Sequence, residues 1–397
     1  MSCAACSVRQ NSSSSALHLV AETGEMRELL EGTLNSLAIE FERNGEICSI
    51  ASRGEQARIV GLLRQMLSGP ERSAVSVCEF RGDGLPAIRD LDQWWRMHET
   101  KWFEQALAED CFEMWFQPVI DTTTREVMGH ECLIRLQTKR LYSGAEIVHA
   151  AHMRNQIHAF DAHARRLAIL SAARQNQHGR FFINVMPSSI YNPEFCLRGV
   201  IDALAETGMP AENIVFEIVE SDLVRESAHL RKICDYFRSH GFAFALDDAG
   251  TGANSLQMVC ELRPDFIKID KSLVQNVERP MYGATVRKLV ELADRFSVGV
   301  IAEGVETIHT MENLWLLGVQ KMQGYLFGRP ERNITSADSG LLRLARALSP
   351  QEMLDSIAAQ PGATQPAAMK PVSISCRPGS TAHARKQESP VPSLAGR

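Results

Sequence analysis

A chain of 397 residues, 45% hydrophobic and 23% charged, has the composition of a soluble globular protein and more length than one ordinary domain needs. Its 48 acidic residues outnumber 42 basic ones for a formal net charge of -6. That balance argues against a dedicated DNA or RNA surface and leaves room for a small anionic ligand at a locally positive or metal-loaded site. The 10 cysteines follow no regular spacing, which excludes a compact secreted disulfide scaffold. Reduced thiols and a cytoplasmic location are expected. No apolar run reaches the roughly 18 residues of a membrane span, and Met1–Ser15 lacks the basic-then-apolar order of a signal peptide.

The first elements expected lie beyond a small polar stretch, residues 1–15, that ends in Ser12–Ser15 and reads as disordered. Its Cys3 and Cys6 form a C-x-x-C with no partners in view. Residues 16–85 read as a small α/β module. Leu17–Ala21 predicts a strand, and Glu25–Leu37 a helix with Met26, Leu29, Leu30 and Leu34 on one face. Ile39–Phe41 and Ile47–Ile50 flank Asn44-Gly45, a hairpin signal. Glu55–Leu67 predicts a second helix and Val75–Phe80 a strand. No ligand motif marks this module, so its input is open. Residues 86–110, with Trp94, Trp95, Trp102 and Phe103, predict one linker helix over Leu91–Ala108. A domain over 111–348 follows. Residues 349–397 are rich in Pro, Ser, Ala and Gly and predict a disordered tail.

In the domain over 111–348, short β-branched or aromatic runs alternate with helical patterns. The runs are Phe181–Val185, Ile214–Val219, Phe242–Leu246, Phe266–Ile269, Val298–Ala302 and Gln320–Met322. The helices between them include Phe160–Gln175, Ala228–Ser239 and Thr285–Phe296, with Gly241 and Gly318 at C-cap positions. This alternation predicts an α/β fold with a parallel sheet and crossover helices, and the repeat count favours a closed, TIM-like barrel.

Nearly every run carries a carboxylate, an amide or a lysine. Glu131 follows Val127–Gly129, Asn184 lies in Phe181–Val185, and Glu217 in Ile214–Val219. Asp247 and Asp248 end the next run, Lys268 lies in Phe266–Ile269, Glu303 ends Val298–Ala302, and Gln323 follows Met322. Taken singly, each could cap a helix, sit on a solvated rim or pair with an arginine. Jointly, C-terminal strand ends converge on one face of a barrel and would place the whole set around one cavity. So many like charges need cations, and hard oxygen ligands suit Mg²⁺ or Mn²⁺. A carboxylate pair such as Asp247-Asp248 can hold two ions about 4 Å apart, a geometry for phosphoryl chemistry.

Eight segments carry a family resemblance: Phe116–Val119 (FQPV), Glu131–Arg135 (ECLIR), Asn184, Phe216–Glu220 (FEIVE), Asp247–Gly252 (DDAGTG), Ile267–Asp270 (IKID), Ala302–Thr307 (AEGVET) and Gln323–Gly328 (QGYLFG). In this order they closely resemble the EAL domain, a family of cyclic-di-GMP-specific phosphodiesterases, over about two thirds of the chain. The resemblance implies a barrel, preceded here by the small α/β module, that hydrolyses cyclic-di-GMP to linear pGpG with two divalent metals, Mg²⁺ or Mn²⁺. It implies metal binding by Glu131, Asn184, Glu217, Asp247, Asp248 and Glu303. Lys268 is implied to orient the attacking water, and Lys268, Glu303 and Glu131 to form the catalytic set. Gln117, Arg135 and Gln323 are implied at the substrate, with Arg135 on a phosphate, and Glu220 and Glu306 in support of the site and its loop.

The sequence departs from the family's commonest form at Cys132, where alanine is usual, and at Leu136, Val219, Ala249 and Ala253. Strand alternation predicts that Cys132 turns away from the metals. The alternative reading is an EAL-type cyclic-di-GMP receptor or interaction module without turnover. Loss of Glu131, Asp247, Lys268 or Glu303 would mark it, and all four are present. The partners expected are cyclic-di-GMP and, with the barrel as the contact, a second copy of the chain in a homodimer.

Overall fold

The computed structural model describes residues 16–51, 54–79, 87–175, 179–219, 227–250 and 255–334. The expectations for residues 1–15, for the tail 349–397, for Glu220 and for Ala253 lie outside these residues. Strands are numbered in chain order, and helices are given by their ranges.

The first sheet is built from β1 (Ala16–Ala21), β2 (Glu42–Asn44), β3 (Ile47–Ala51), β4 (Val75–Glu79) and β5 (Ala87–Asp90). Its order is β2-β3-β1-β4-β5, and every pairing is antiparallel. The hairpin at Asn44-Gly45 forms as expected, with Gly45 at φ 63, but its first arm is Glu42–Asn44 rather than Ile39–Phe41. Leu17, Leu19 and Ala21 on alternate positions of β1 pack with Leu30 and Leu34 of helix Gly24–Ser36 and Ile59, Val60 and Leu63 of helix Gln56–Met66.

The segment 86–110 departs from the expected single helix. It holds β5 and two helices, Leu91–Glu99 and Lys101–Ala108, which meet at Thr100. Leu91 and Trp94 are buried in the core of the first sheet, whereas Phe103 and Ala106 are buried among barrel residues such as Phe112 and Phe160. One helix therefore packs against each sheet's core. The joint is held by Arg154, whose guanidinium donates to the Thr100 and Met97 carbonyls and pairs with Glu104. We expect a chain starting at residue 86 to expose Leu91 and Trp94 and to aggregate, and one starting at residue 97 to stay monodisperse. Light scattering of the two truncations checks this.

The second sheet comprises β6 (Phe112–Asp121), β7 (Glu126–Gln137), β8 (Leu141–Tyr142), β9 (Arg180–Val185), β10 (Ile214–Val219), β11 (Ala243–Ala249), β12 (Phe266–Ile269), β13 (Gly299–Ala302) and β14 (Lys321–Gln323). The order β6-β14-β13-β12-β11-β10-β9-β7 closes through a β6–β7 pairing into an eight-stranded barrel, with β8 appended to β7. From β7 through β9 to β14 the neighbours are parallel. β6 runs antiparallel to both β7 and β14, so the sheet is not uniformly parallel as expected. The cause is local. The β6–β7 connection is a tight turn in which Asp121 accepts from the Thr123 and Thr124 amides and Arg125 takes φ 60. A turn this short can join only antiparallel strands.

The barrel interior is layered by the two-residue period of its strands. Val119, Phe182, Val215, Ala245, Phe266 and Ile301 form a buried apolar cluster. Two positions toward the barrel mouth stand Gln117, Asn184, Glu217, Asp247 and Lys268 on the same strands and Glu303 just past the end of β13. The same alternation that fills the barrel floor therefore aims a ring of polar groups at its mouth.

Candidate active site

Lys268 is the centre of this ring. It is 1% exposed, and its ammonium lies 2.5 Å from Glu303, 2.7 Å from Glu217, 3.5 Å from Asp247 and 3.8 Å from Glu131. Burial works to deprotonate it, but the facing carboxylates of Asp247, Glu131, Glu217 and Glu303 prevail and hold its pKa well above the ordinary lysine value. The carboxylates divide. Burial, with Asp247 and Glu131 beside it, pushes Glu303 up to about 8 against the pull of Lys268. Burial raises Glu217 well above the carboxylate range. Burial also works to raise Glu131, but Lys268 and the hydrogen bonds from Gln323 and Asn184 hold it below its ordinary value.

A chain of amides orients Glu131. Asn184 Nδ2 donates to Glu131 Oε1 at 3.2 Å, and Gln323 Nε2 donates to Glu131 Oε2 at 2.5 Å and to Gln117 Oε1 at 3.1 Å. Gln117 Nε2 in turn donates to the Gly328 carbonyl at 3.1 Å. Glu131 does not follow a short strand as expected. It lies in the middle of the twelve-residue β7, where it is paired with Gln117 of β6.

Asp247 and Asp248 are adjacent, so regular alternation would send them to opposite faces. The ladder to β12 slips between Leu246 and Ala249, and Asp248 takes φ 59. Such an irregularity re-aims a side chain. As a result Asp247, Asp248 and Glu303 can each present an oxygen within 4.8 Å of the others.

This donor set fits hard divalent cations. It offers carboxylate oxygens and an amide and no sulfur, the set that suits Mg²⁺ or Mn²⁺. Glu217 is fully buried; its Oε1 lies 2.7 Å from the Lys268 ammonium, and its Oε2 has no hydrogen-bond partner among the described residues. A buried carboxylate oxygen left unpaired is costly, and a divalent cation would satisfy it.

Arg135 sits beside the ring rather than in it. Its Nη1 donates to the Ile134 carbonyl at 2.8 Å, and its guanidinium lies 5.9 Å from the Trp115 ring centroid. Arg135, Glu131 and Asn184 border a cavity of about 460 Å³ whose lining also includes Cys132, Val148 and Phe160. Cys132 is buried, and burial raises its thiol pKa well above the ordinary value. Glu306 does not join the cluster. It is exposed and accepts from Gln275 Nε2 at 3.3 Å.

The sequence reading missed a buried ion pair, Asp161 with Arg165, on helix Ile157–Ala173. Two charged residues on the apolar face of an amphipathic helix were the available signal.

A closed α/β barrel with a lysine ringed by carboxylates at its mouth defines the class, and comparison with known proteins gives the family. The EAL domain model matches residues 100–330, more than half of the chain, so the chain belongs to the EAL-domain family. The cyclic di-GMP phosphodiesterase PdeF of Escherichia coli (strain K12) is 29% identical over 235 residues, which cover 57% of this chain and 31% of PdeF. A standalone versatile EAL protein from Vibrio cholerae O395, solved in a c-di-GMP-bound form, is 30% identical with a TM-score of 0.54, over 58% of this chain and 97% of that one. BlrP1 of Klebsiella pneumoniae, solved as a manganese/cy-diGMP complex, shares the fold at 19% identity and a TM-score of 0.51, over 80% of this chain and 95% of its own. The chain spans about a third of the length of the curated relatives it matches. Among the described residues no helix is long and apolar enough to cross a membrane.

Proposed function

We propose that this protein is a metal-dependent phosphodiesterase that hydrolyses cyclic-di-GMP to linear pGpG and so lowers the level of this messenger. The observation that carries the reading is the complete polar ring around Lys268, set against the names of relatives that act on or bind cyclic-di-GMP. Glu131, Asn184, Glu217, Asp247, Asp248 and Glu303 would hold two divalent metals, Mg²⁺ or Mn²⁺. When bound, such ions activate water and neutralise charge developing on a phosphate.

The chain's own groups then have separable tasks. Lys268, held among its four carboxylates, would donate a hydrogen bond to the attacking water and set its line of approach. The water oxygen forms a new bond to phosphorus, one phosphorus–ribose oxygen bond breaks, and the ribose oxygen leaves with a proton. The proton given up by the water reaches the leaving oxygen through solvent, and Glu303, 2.5 Å from Lys268, would serve as a metal ligand beside it. Gln323 and Asn184 fix the Glu131 carboxylate by donating to both its oxygens. Arg135 holds the second, non-reacting phosphate.

The direct test is incubation of the purified protein with cyclic-di-GMP and Mg²⁺ or Mn²⁺ and separation of the products. Linear pGpG that disappears with EDTA is the expected outcome. Tight binding without pGpG under every metal condition would replace the enzyme by a receptor.

Arg135→Ala should chiefly raise KM, because a charge-assisted hydrogen bond to phosphate contributes roughly 1.5–3 kcal/mol to binding. That corresponds to about 10- to 150-fold. Steady-state kinetics check it, with kcat expected to stay near its original value.

A further inference from the structure

The segment Met186–Ile190, which begins two residues after Asn184, is tied down by polar side chains from two helices, among them the buried Asp161 and Arg165. Asp161 and Arg165, one turn apart on helix Ile157–Ala173, are 2% and 1% exposed and paired with each other. Asp161 Oδ1 accepts from the Met186 amide at 3.3 Å, and its Oδ2 accepts from the Ser189 hydroxyl. Arg165 Nη2 donates to the Cys196 carbonyl at 3.2 Å. His158 Nδ1 donates to the Ser189 carbonyl at 3.0 Å, and His229 Nε2 to the Ile190 carbonyl at 2.5 Å. The segment Met186–Ile190, which includes the 3₁₀ turn Pro187–Ser189, is thus held from two helices.

A buried ion pair is a poor source of net stability, because desolvating both charges offsets their attraction. Its value lies in direction. Asn184 sits two residues before Met186, at the mouth end of β9. Its side chain is exposed and is held by one bond to Glu131. With so little packing of its own, its position depends on where the chain after it is fixed.

We propose that Asp161, neutralised by Arg165, is a positioning residue for Asn184. It fixes the end of β9 through the Met186 amide and Ser189, so that the Asn184 amide stands ready beside Glu131. The inference rests on the metal-dependent reading of the site, because what Asn184 is positioned for is a cation. Outer partners that orient a metal ligand typically change metal affinity or activity by about 10- to 100-fold when removed.

The test is titration of the full-length protein with Mn²⁺ by calorimetry, alongside thermal melting. Asp161→Leu with Arg165→Met removes the pair together and leaves no uncompensated charge. Mn²⁺ affinity is expected to fall about 10- to 100-fold at a near-normal melting temperature. Asp161→Asn with Arg165→Met restores an acceptor for the Met186 amide and should recover most of the affinity, which a purely structural role would not require. Original-level Mn²⁺ affinity in the folded Leu/Met variant overturns the proposal. Should that variant fail to fold, Ser189→Ala removes a single tie; it is expected to weaken Mn²⁺ binding measurably, and unchanged binding overturns the proposal. An unsubstituted protein that takes up no Mn²⁺ overturns the metal-dependent reading itself, and this inference with it.

Discussion

Asp247→Asn should lower kcat by several orders of magnitude and weaken divalent-metal binding, while leaving the fold intact. The substitution keeps the shape of the side chain and removes one negative charge. Asp247 lies 3.5 Å from Lys268 and in the group with Asp248 and Glu303 whose oxygens fall within 4.8 Å of one another. Two-metal phosphoryl chemistry depends on such a carboxylate for both activation of water and neutralisation of the phosphate, so both contributions fall together. The loss should persist at saturating cyclic-di-GMP, which separates it from Arg135→Ala, where KM bears the change. Kinetics over a Mg²⁺ titration decide the matter. A near-normal kcat at saturating Mg²⁺ would take Asp247 out of the metal centre.

Lys268→Met should abolish turnover by a different route. Methionine matches the length of the lysine stem and removes the charge, which leaves Glu303, Glu217, Asp247 and Glu131 facing one another without the ammonium now 2.5–3.8 Å away. Breaking a buried ion pair by removing one partner typically costs 3–5 kcal/mol, so in EDTA the variant should melt well below the original protein. Divalent cations should restore much of that stability, because they supply the missing positive charge to the same carboxylates. Activity should not return with stability, since no group remains to direct the water. Paired melting curves in EDTA and in Mn²⁺, with a product assay on the same samples, test this. Full activity in Mn²⁺ would show that the lysine is only a counter-charge. Equal melting temperatures in EDTA for variant and original would show that the ion contacts at Lys268 carry no weight in the fold.

Much of this protein was legible in the chain because its barrel strands obey a two-residue period. Phe266 and Lys268, Val215 and Glu217, Phe182 and Asn184, and Ile301 and Glu303 each pair an apolar floor position with a polar mouth position on the same face. A strand that must bury one face can place a charge there only where a partner waits. The sequence thereby named seven carboxylate and amide positions, Glu131, Asn184, Glu217, Asp247, Asp248, Glu303 and Gln323, together with Lys268. It also contained the helix ends at Gly241 and Gly318, which take φ 78 and φ 92.

Tertiary structure decided the rest, wherever the determining contact lies far away in sequence. β5 joins the first sheet through its pairing with β4, and Leu91 and Trp94 are drawn into that core, so the segment read as one linker helix is shared between two hydrophobic cores. β6 closes the barrel antiparallel because its turn to β7 is too short for a crossover, a constraint invisible to periodicity. The slip between Leu246 and Ala249 brings Asp248 back beside Asp247, where alternation alone would part them. Glu306, expected in support of the site and its loop, is exposed and accepts from Gln275, a contact across 31 residues that the motif does not reveal. The Asp161–Arg165 pair looks in the chain like two charges spoiling an apolar helix face. Only packing against the end of β9 shows what they hold, because a buried charge declares its purpose through the groups that satisfy it, and beyond the pair itself those lie 25 or more residues away.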